Sequence, residues 1–274
     1  MKLFDKQNKL SYYDTIINII GLNKYMAKQE NKEIKVKSLY KALKILDYFC
    51  DSTSPELSVT EISERSGILM SSIHNILSTF CAGGFIQKSP NSSKYMLGKK
   101  FLEFSNAYNR NNPVQSMLKK SMQKLSNLTG ETIFLAVSYG VNIIYIDSIF
   151  PSNSTATGNI IGVTAPMYCT SIGKAILSQS SPELIKEVLA SPKTAFTENT
   201  IIDTTALKDE INTIIEQGYA IDNMEHEYGI KCVGIAISIN NQLYGLSISG
   251  PSLRFSKDKI IQYAKLLKEV AAEF

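Results

Sequence analysis

Cysteine is scarce in this 274-residue chain, and its four copies, Cys50, Cys81, Cys169 and Cys232, lie far apart with no CxxC pair. That excludes a disulfide framework or a zinc ribbon, and reduced cytoplasmic thiols are the expectation. Histidine occurs only twice, at His74 and His226, in what read as different domains, and no HExxH is present. The sequence Glu225–His226–Glu227 therefore does not read as a metalloenzyme motif. A metal site built from Asp222, Cys169 and Cys232 is conceivable, but no ligand spacing supports it, so neither metal nor cofactor is expected. No GxxxxGK[ST] or GxGxxG cradle for phosphates occurs. No apolar run approaches the ~18 residues that cross a bilayer. The N-terminus MKLFDKQNKLSYYD has charges scattered through it and no apolar core of a signal peptide. A cytoplasmic protein with no membrane partner is expected. Arginine is rare as well, at three of the 29 basic residues.

What remains is a globular composition, 44% hydrophobic and 20% charged, with length for two ordinary domains. Net charge is +4 and unevenly spread: residues 1–35 carry +3, residues 36–104 carry +2 and the remainder −1. A basic front and a near-neutral back suit a nucleic-acid-binding head on a ligand-binding body.

Residues 1–35 read as an extension in which Tyr13, Ile16, Ile17 and Ile20 suggest a short amphipathic helix. From Lys37, the residues Leu39, Ala42, Leu43, Leu46 and Cys50 recur at helical spacing. A second short helix follows around Val59 and Ile62, with Gly67 supplying a left-handed turn. A third helix, with Ser71 or Ser72 as its N-cap, buries Ile73, Ile76, Leu77 and Phe80 and stops at Gly83–Gly84. FIQKS and KYML, joined by PNSS, read as a hairpin wing. Together these make a winged helix-turn-helix over residues 36–98. Residues 99–112 read as a linker helix ending before Pro113, and residues 113–274 as a second domain.

In that second domain ETIFLAVSYG and NIIYIDSIF form one hairpin, and CVGIAISI with LYGLSISG forms another around Asn240–Asn241. Helical patterns over 170–190 and 204–217 and after Ser256 complete an α+β fold.

Seven segments then carry a resemblance over residues 36–272: LYKALKILDYF, LSVTEISERSGILMSSIHNILSTFCAGGFI, KYMLGKKFLEF, TGETIFLAV, YCTSIGKAIL, GYAIDNMEHEYGIKCVGIAISI and LYGLSISGP. In order and spacing the chain resembles the IclR-type transcriptional regulators. The resemblance implies a winged-helix domain, a linker helix and a GAF-like (PAS-related) effector domain. It also implies assembly as homodimers or homotetramers on double-stranded DNA with palindromic operators. Family members usually place a basic residue just before the recognition helix and an arginine after its histidine; here Met70 and Asn75 occupy those positions. Asparagine pairs bidentately with adenine where arginine prefers guanine, so the expectation is either an A·T-rich operator or an affinity that depends unusually on the wing and the N-terminal extension.

Ser71, Ser72, His74, Asn75 and Ser78 lie off the apolar face of the recognition helix and are expected to meet the major groove. Asn91, Ser92, Ser93 and Lys94 of the wing are expected at phosphates. Asp222, Cys232, Ser247 and Ser249 fall where the resemblance places an effector pocket. Ser247 and Ser249 alternate on one strand and so share a face. Thr170–Ser171–Ile172–Gly173 opens a helix whose amides suit an anion. Hydroxyls with amides favour a small organic acid or a related metabolite as effector. Ser171-Ile-Gly-Lys174 matches the SxxK pattern of serine enzymes, but no SDN or KTG partner accompanies it, so Lys174 reads as a helix residue within the segment that carries the resemblance. The other readings are a serine-dependent hydrolase or transferase, and a winged-helix protein whose second domain only mediates oligomerisation. Repressor and activator are both compatible with the sequence.

Overall fold

The computed structural model describes residues 34–50, 54–151 and 160–274, so the helix expected around Tyr13–Ile20 lies outside the described residues. The described residues divide into two compact units, the first ending at Asn111 and the second running Asn112–Phe274.

In the first unit three helices and a hairpin enclose a small core. Helix α1 (Lys37–Cys50) contributes Ile45 and Phe49. Helix α2 (Val59–Ser66) opens on a capping box, in which Ser58 and Glu61 satisfy each other's backbone amides. It closes at Gly67, whose φ of 67° lies in the left-handed region that glycine reaches without a Cβ clash. Helix α3 (Met70–Ala82) buries Ile73 and Leu77. Strands β1 (Ile86–Lys88) and β2 (Tyr95–Leu97) pair antiparallel, and Leu57 bridges to Tyr95 as a third, single-residue rung. Leu57, Ile62, Ile86 and Tyr95 complete the buried cluster. Helix α4 (Lys100–Asn111) buries no residue; Phe101 and Phe104 set their rings 5.7 and 5.6 Å from that of Phe85.

One expectation is corrected here. Helix α3 begins before both serines: the N-cap position is Leu69, which makes no side-chain cap bond, and Ser71 and Ser72 sit exposed in the first turn.

The second unit is a six-stranded antiparallel sheet of order β5-β4-β3-β8-β7-β6, with β3 Thr132–Tyr139, β4 Asn142–Ile149, β5 Thr164–Pro166, β6 Ala220–Asn223, β7 Ile230–Ile239 and β8 Gln242–Pro251. Asn240 and Asn241, at φ 50° and 62°, turn β7 into β8. Two successive positive φ values are what the twist of a two-residue hairpin requires. Strand alternation then sorts the sheet into two faces. Ile133, Leu135, Val233, Ile235, Leu246 and Ile248 point to one side, against Leu118 and Met122 of α5 (Val114–Thr129) and Tyr263 and Leu267 of α9 (Lys257–Ala271). Each such side chain, fully buried, stabilises the fold by about 1.5–3 kcal/mol. The opposite face of β7 and β8 carries small or polar residues: Cys232, Gly234 and Ala236, then Gly245, Ser247 and Ser249.

Helix α6 (Ser171–Ser178) lies on that second face. A Cβ on Gly234 would come within 2.8 Å of the Ser171 carbonyl carbon, so the helix start rests directly on the strand. The helical stretch expected over 170–190 is two helices, α6 and α7 (Pro182–Ala190), the second capped by Ser181. Helix α8 (Thr204–Gln217) packs against α6. The whole is a helix-turn-helix unit joined to a mixed α+β unit.

Candidate functional site

Two surfaces hold the residues expected to act. On α3 the helical period that buries Ile73 and Leu77 leaves Ser71, Ser72, His74, Asn75 and Ser78 exposed together. The α2–α3 turn that presents them is fixed by local bonds. The Ser63 hydroxyl donates to the Ile68 carbonyl at 2.7 Å, and the Ile68 amide donates to Ser66 Oγ at 3.2 Å.

The wing is braced by side-chain bonds to the segment that opens α2. Asn91 and Ser93 are exposed, but Ser92 donates to Glu56 Oε2 at 2.8 Å and Ser89 to Glu56 Oε1 at 2.6 Å. Lys94 Nζ lies 3.2 Å from Glu61 Oε1, joining the wing to the capping box of α2. The Glu61 carboxyl is held down to about 2, chiefly by the Ser58 amide and hydroxyl, with Lys94 adding to them. The wing contacts of Glu56 and Glu61 could not be read from the sequence because the wing residues lie 33 to 36 positions away.

The second site is a buried polar row that crosses the sheet. Register places Asp222 opposite Cys232, Cys232 opposite Ser249, and Ser249 opposite Thr132. One step along, Gly234 faces Ser247, which faces Phe134. Directly opposed residues point to the same side, so Asp222, Cys232, Ser247, Ser249 and Thr132 share the face on which α6 lies. The helix start covers Gly234, and the row Asp222–Cys232–Ser249 lies one step further along the strands. Ser171 and Ile172 are both 2% exposed, Ser247 2% and Asp222 4%. In the first turn of α6, Thr170 Oγ1 accepts from the Gly173 amide, which leaves the amides of Ser171 and Ile172 as donors with no acceptor within the helix. Cys232 Sγ donates to Ser249 Oγ at 3.1 Å.

Charge is concentrated beside that row. Lys174, fully buried in α6, places Nζ 2.6 Å from Glu225 Oε1 and 2.8 Å from Glu210 Oε1 of α8. Burial works against its charge, but the two carboxylates prevail and hold it protonated. Burial pushes the Glu225 carboxyl up against the pull of Lys174, and its Oε2 is buried without a hydrogen-bond partner. Asp222 Oδ1 accepts from the Glu225 amide at 2.7 Å and the His226 amide at 3.4 Å. Burial, and then the neighbouring Glu225 charge, push the Asp222 carboxyl up to about 7. His226, beside the Phe196 ring, is pushed down to about 4 by burial. Burial raises the Cys169 and Cys232 thiols, so neither is a ready thiolate.

Lys174 is a helix residue, as the sequence indicates, but its burial and its ion pair with Glu225, which the sequence reading set aside, were not foreseen. The available signal was a lone cation inside the apolar run Ile172–Leu177. A lysine locked by two carboxylates also makes a poor base for Ser171, so the SxxK likeness gains no chemistry. Among the described residues no group of three or more His, Cys, Asp or Glu side chains is arranged to hold a metal. No described helix is long and apolar enough to cross a membrane.

Comparison with known proteins places both units in one family. The family model for the bacterial transcriptional regulator IclR C-terminal domain matches residues 106–274, and that for the IclR helix-turn-helix domain matches residues 38–90. The chain is 32% identical to the HTH-type transcriptional regulator KdgR of Escherichia coli (strain K12), over 79% of this chain and 83% of that protein. Among solved structures, the IclR of Thermotoga maritima is 31% identical with a TM-score of 0.66, covering 86% of this chain and 96% of that one. An IclR homolog of Microbacterium hydrocarbonoxydans, solved with 4-hydroxybenzoate, shares the fold at a TM-score of 0.75 and 17% identity, over 86% and 96% of the two chains. These relatives are regulators and not enzymes, and the chain belongs to the IclR family of DNA-binding bacterial transcriptional regulators.

Proposed function

We propose that a small organic acid, held in the buried polar row, sets how tightly this regulator grips its operator. The observation that carries the reading is the row itself. Asp222, Cys232, Ser247 and Ser249 line up on one sheet face just beyond a helix start whose amides are unpaired within the helix. Amides attract an anion, and hydroxyls beside them complete its hydrogen bonds. The 4-hydroxybenzoate held by the Microbacterium homolog is an acid of this class.

In the helix-turn-helix unit Ser71, Ser72, His74, Asn75 and Ser78 enter the major groove, and Ser93 of the wing meets phosphate. The Ser92 hydroxyl donates to phosphate only by leaving Glu56, whereas Lys94, with three donors, reaches phosphate in competition with Glu61 or beside it. The protein acts in the cytoplasm as a homodimer or homotetramer, so its operator has two related half-sites. Residues 100–111 link the DNA-binding part to an effector domain that begins near Asn112.

Paired variants test both halves. Asn75→Ala is expected to weaken specific DNA binding by about 1–3 kcal/mol and to keep any stabilisation by an acid. Ser249→Ala is expected to keep DNA affinity and to lose about 1.5–3 kcal/mol of effector affinity. The effector itself should emerge from a thermal-shift screen of small organic acids, adding about 2.7 kcal/mol at 100 times its Kd. Unchanged operator affinity in Asn75→Ala, together with no stabilising acid, would reject the reading.

A further inference from the structure

Helix α3 carries no Lys, Arg, Asp or Glu in its thirteen residues, MSSIHNILSTFCA. It therefore lacks the side chains that pair with guanine O6 and N7, the commonest specific contact in a major groove. Its leading edge is instead aliphatic. Leu69 is 75% exposed and Met70 53% exposed, and neither belongs to the hydrophobic cluster beneath them or packs against it. Leu69 also occupies the N-cap position, where Ser, Thr, Asp or Asn would stabilise the helix, and makes no cap bond. No hydrophobic cluster among the described residues accounts for two large apolar side chains there. The turn that presents them is fixed by Gly67 and by the Ser63 and Ser66 hydroxyls, so their position is set before any partner arrives.

We infer that Leu69 and Met70 form an apolar reading tip that contacts thymine 5-methyl groups, so that operator recognition is built on A·T pairs. The inference rests on the proposed entry of α3 into the major groove. In that setting the first residues of the recognition helix meet base edges, and the thymine methyl is the apolar group exposed there. Asn75, exposed on the same helix, supplies the matching contact, because its amide bonds adenine N6 and N7. Methyl readout at the tip and adenine readout about one and a half turns later describe a helix that works without cations.

The test starts by selecting preferred duplexes from a random pool with the full-length protein. Each thymine of the selected site is then replaced in turn by deoxyuridine, which keeps every hydrogen bond and removes only the methyl. Affinity should fall roughly four-fold at one or more positions in each half-site, the effect expected for one buried methyl. Leu69→Ala and Met70→Ala should lose a similar factor and become indifferent to deoxyuridine at those positions. Both side chains are exposed, so the variants should melt like wild type, and Leu69→Met and Met70→Leu should restore methyl sensitivity. If deoxyuridine is neutral throughout, or the alanine variants stay as sensitive as wild type, the tip does not read thymine although α3 still reads DNA. A pool that yields no preferred sequence would overturn this inference and the groove assignment together.

Discussion

The two units of this protein treat polar side chains in opposite ways. The helix-turn-helix unit leaves Ser71, Ser72, His74, Asn75 and Ser78 exposed on one helix. The sheet unit buries Ser171, Asp222, Ser247 and Ser249 almost completely, and a lysine with them. Under the proposed function, the difference follows the size of the partner. Duplex DNA is met across an open surface, whereas a small acid is bound tightly only where most of its surface is enclosed. Burial has a cost that exposure does not: each charge taken inside must find a counter-charge or give up its ionisation.

Lys174 puts that contrast to its hardest test. Lys174→Ala should destabilise the sheet unit by about 3–5 kcal/mol, because Glu225 is left buried without its cation. Denaturant unfolding at pH 8 measures this, and lowering the pH should recover part of the loss as Glu225 takes up a proton. A change below about 1 kcal/mol would mean that the cluster is hydrated and not truly interior.

Asp222 offers a finer probe. Its folded carboxyl titrates near 7, above its ordinary value, so the folded state holds the proton more firmly than the unfolded chain. Such a group stabilises fully below its unfolded pKa of about 4, and that contribution is lost as pH rises through 7. His226, buried and pushed down to about 4, works in the opposite direction between pH 4 and 6.5, so only a difference between variants isolates either group. Relative to Asp222→Asn, the wild type should lose on the order of 1.4 kcal/mol per pH unit across the upper part of that window. A flat difference from pH 4 to 8 would place Asp222 in contact with water.

The smallest effect is expected on the exposed side. Lys94 and Glu61 are each more than a third exposed, so Lys94→Ala should cost less than about 1 kcal/mol of stability. If Lys94 also leaves Glu61 for phosphate, the salt slope of DNA binding should flatten by about one unit. An unchanged slope would assign Lys94 to bracing the wing alone.

The DNA-binding half was the more legible in sequence, for a physical reason. One helix's own period separated Ile73 and Leu77 from His74 and Asn75, and no distant segment was needed to do it. The exception was the start of α3: the serines looked like caps, yet the turn bonds through Ser63 and Ser66 let the helix begin at Met70 behind an uncapped Leu69. In the sheet unit, strand alternation alone put Ser247 and Ser249 on one face and Leu246 and Ile248 on the other.

By itself, the sequence determined the order of the helix-turn-helix and sheet units, the apolar faces of their main helices and strands, the Asn240–Asn241 turn and the family. These rest on local backbone preference and on periods of two and 3.6 residues, which a linear chain carries in full. Only the tertiary structure decided that Asp222, Cys232 and Ser249 form one row, because register joins residues up to 27 positions apart. It alone brought Glu210 and Glu225 to Lys174 across 36 and 51 residues, and Glu56 and Glu61 to the wing. Ion pairs and hydrogen bonds act through space over a few ångströms, so no spacing along the chain announces them.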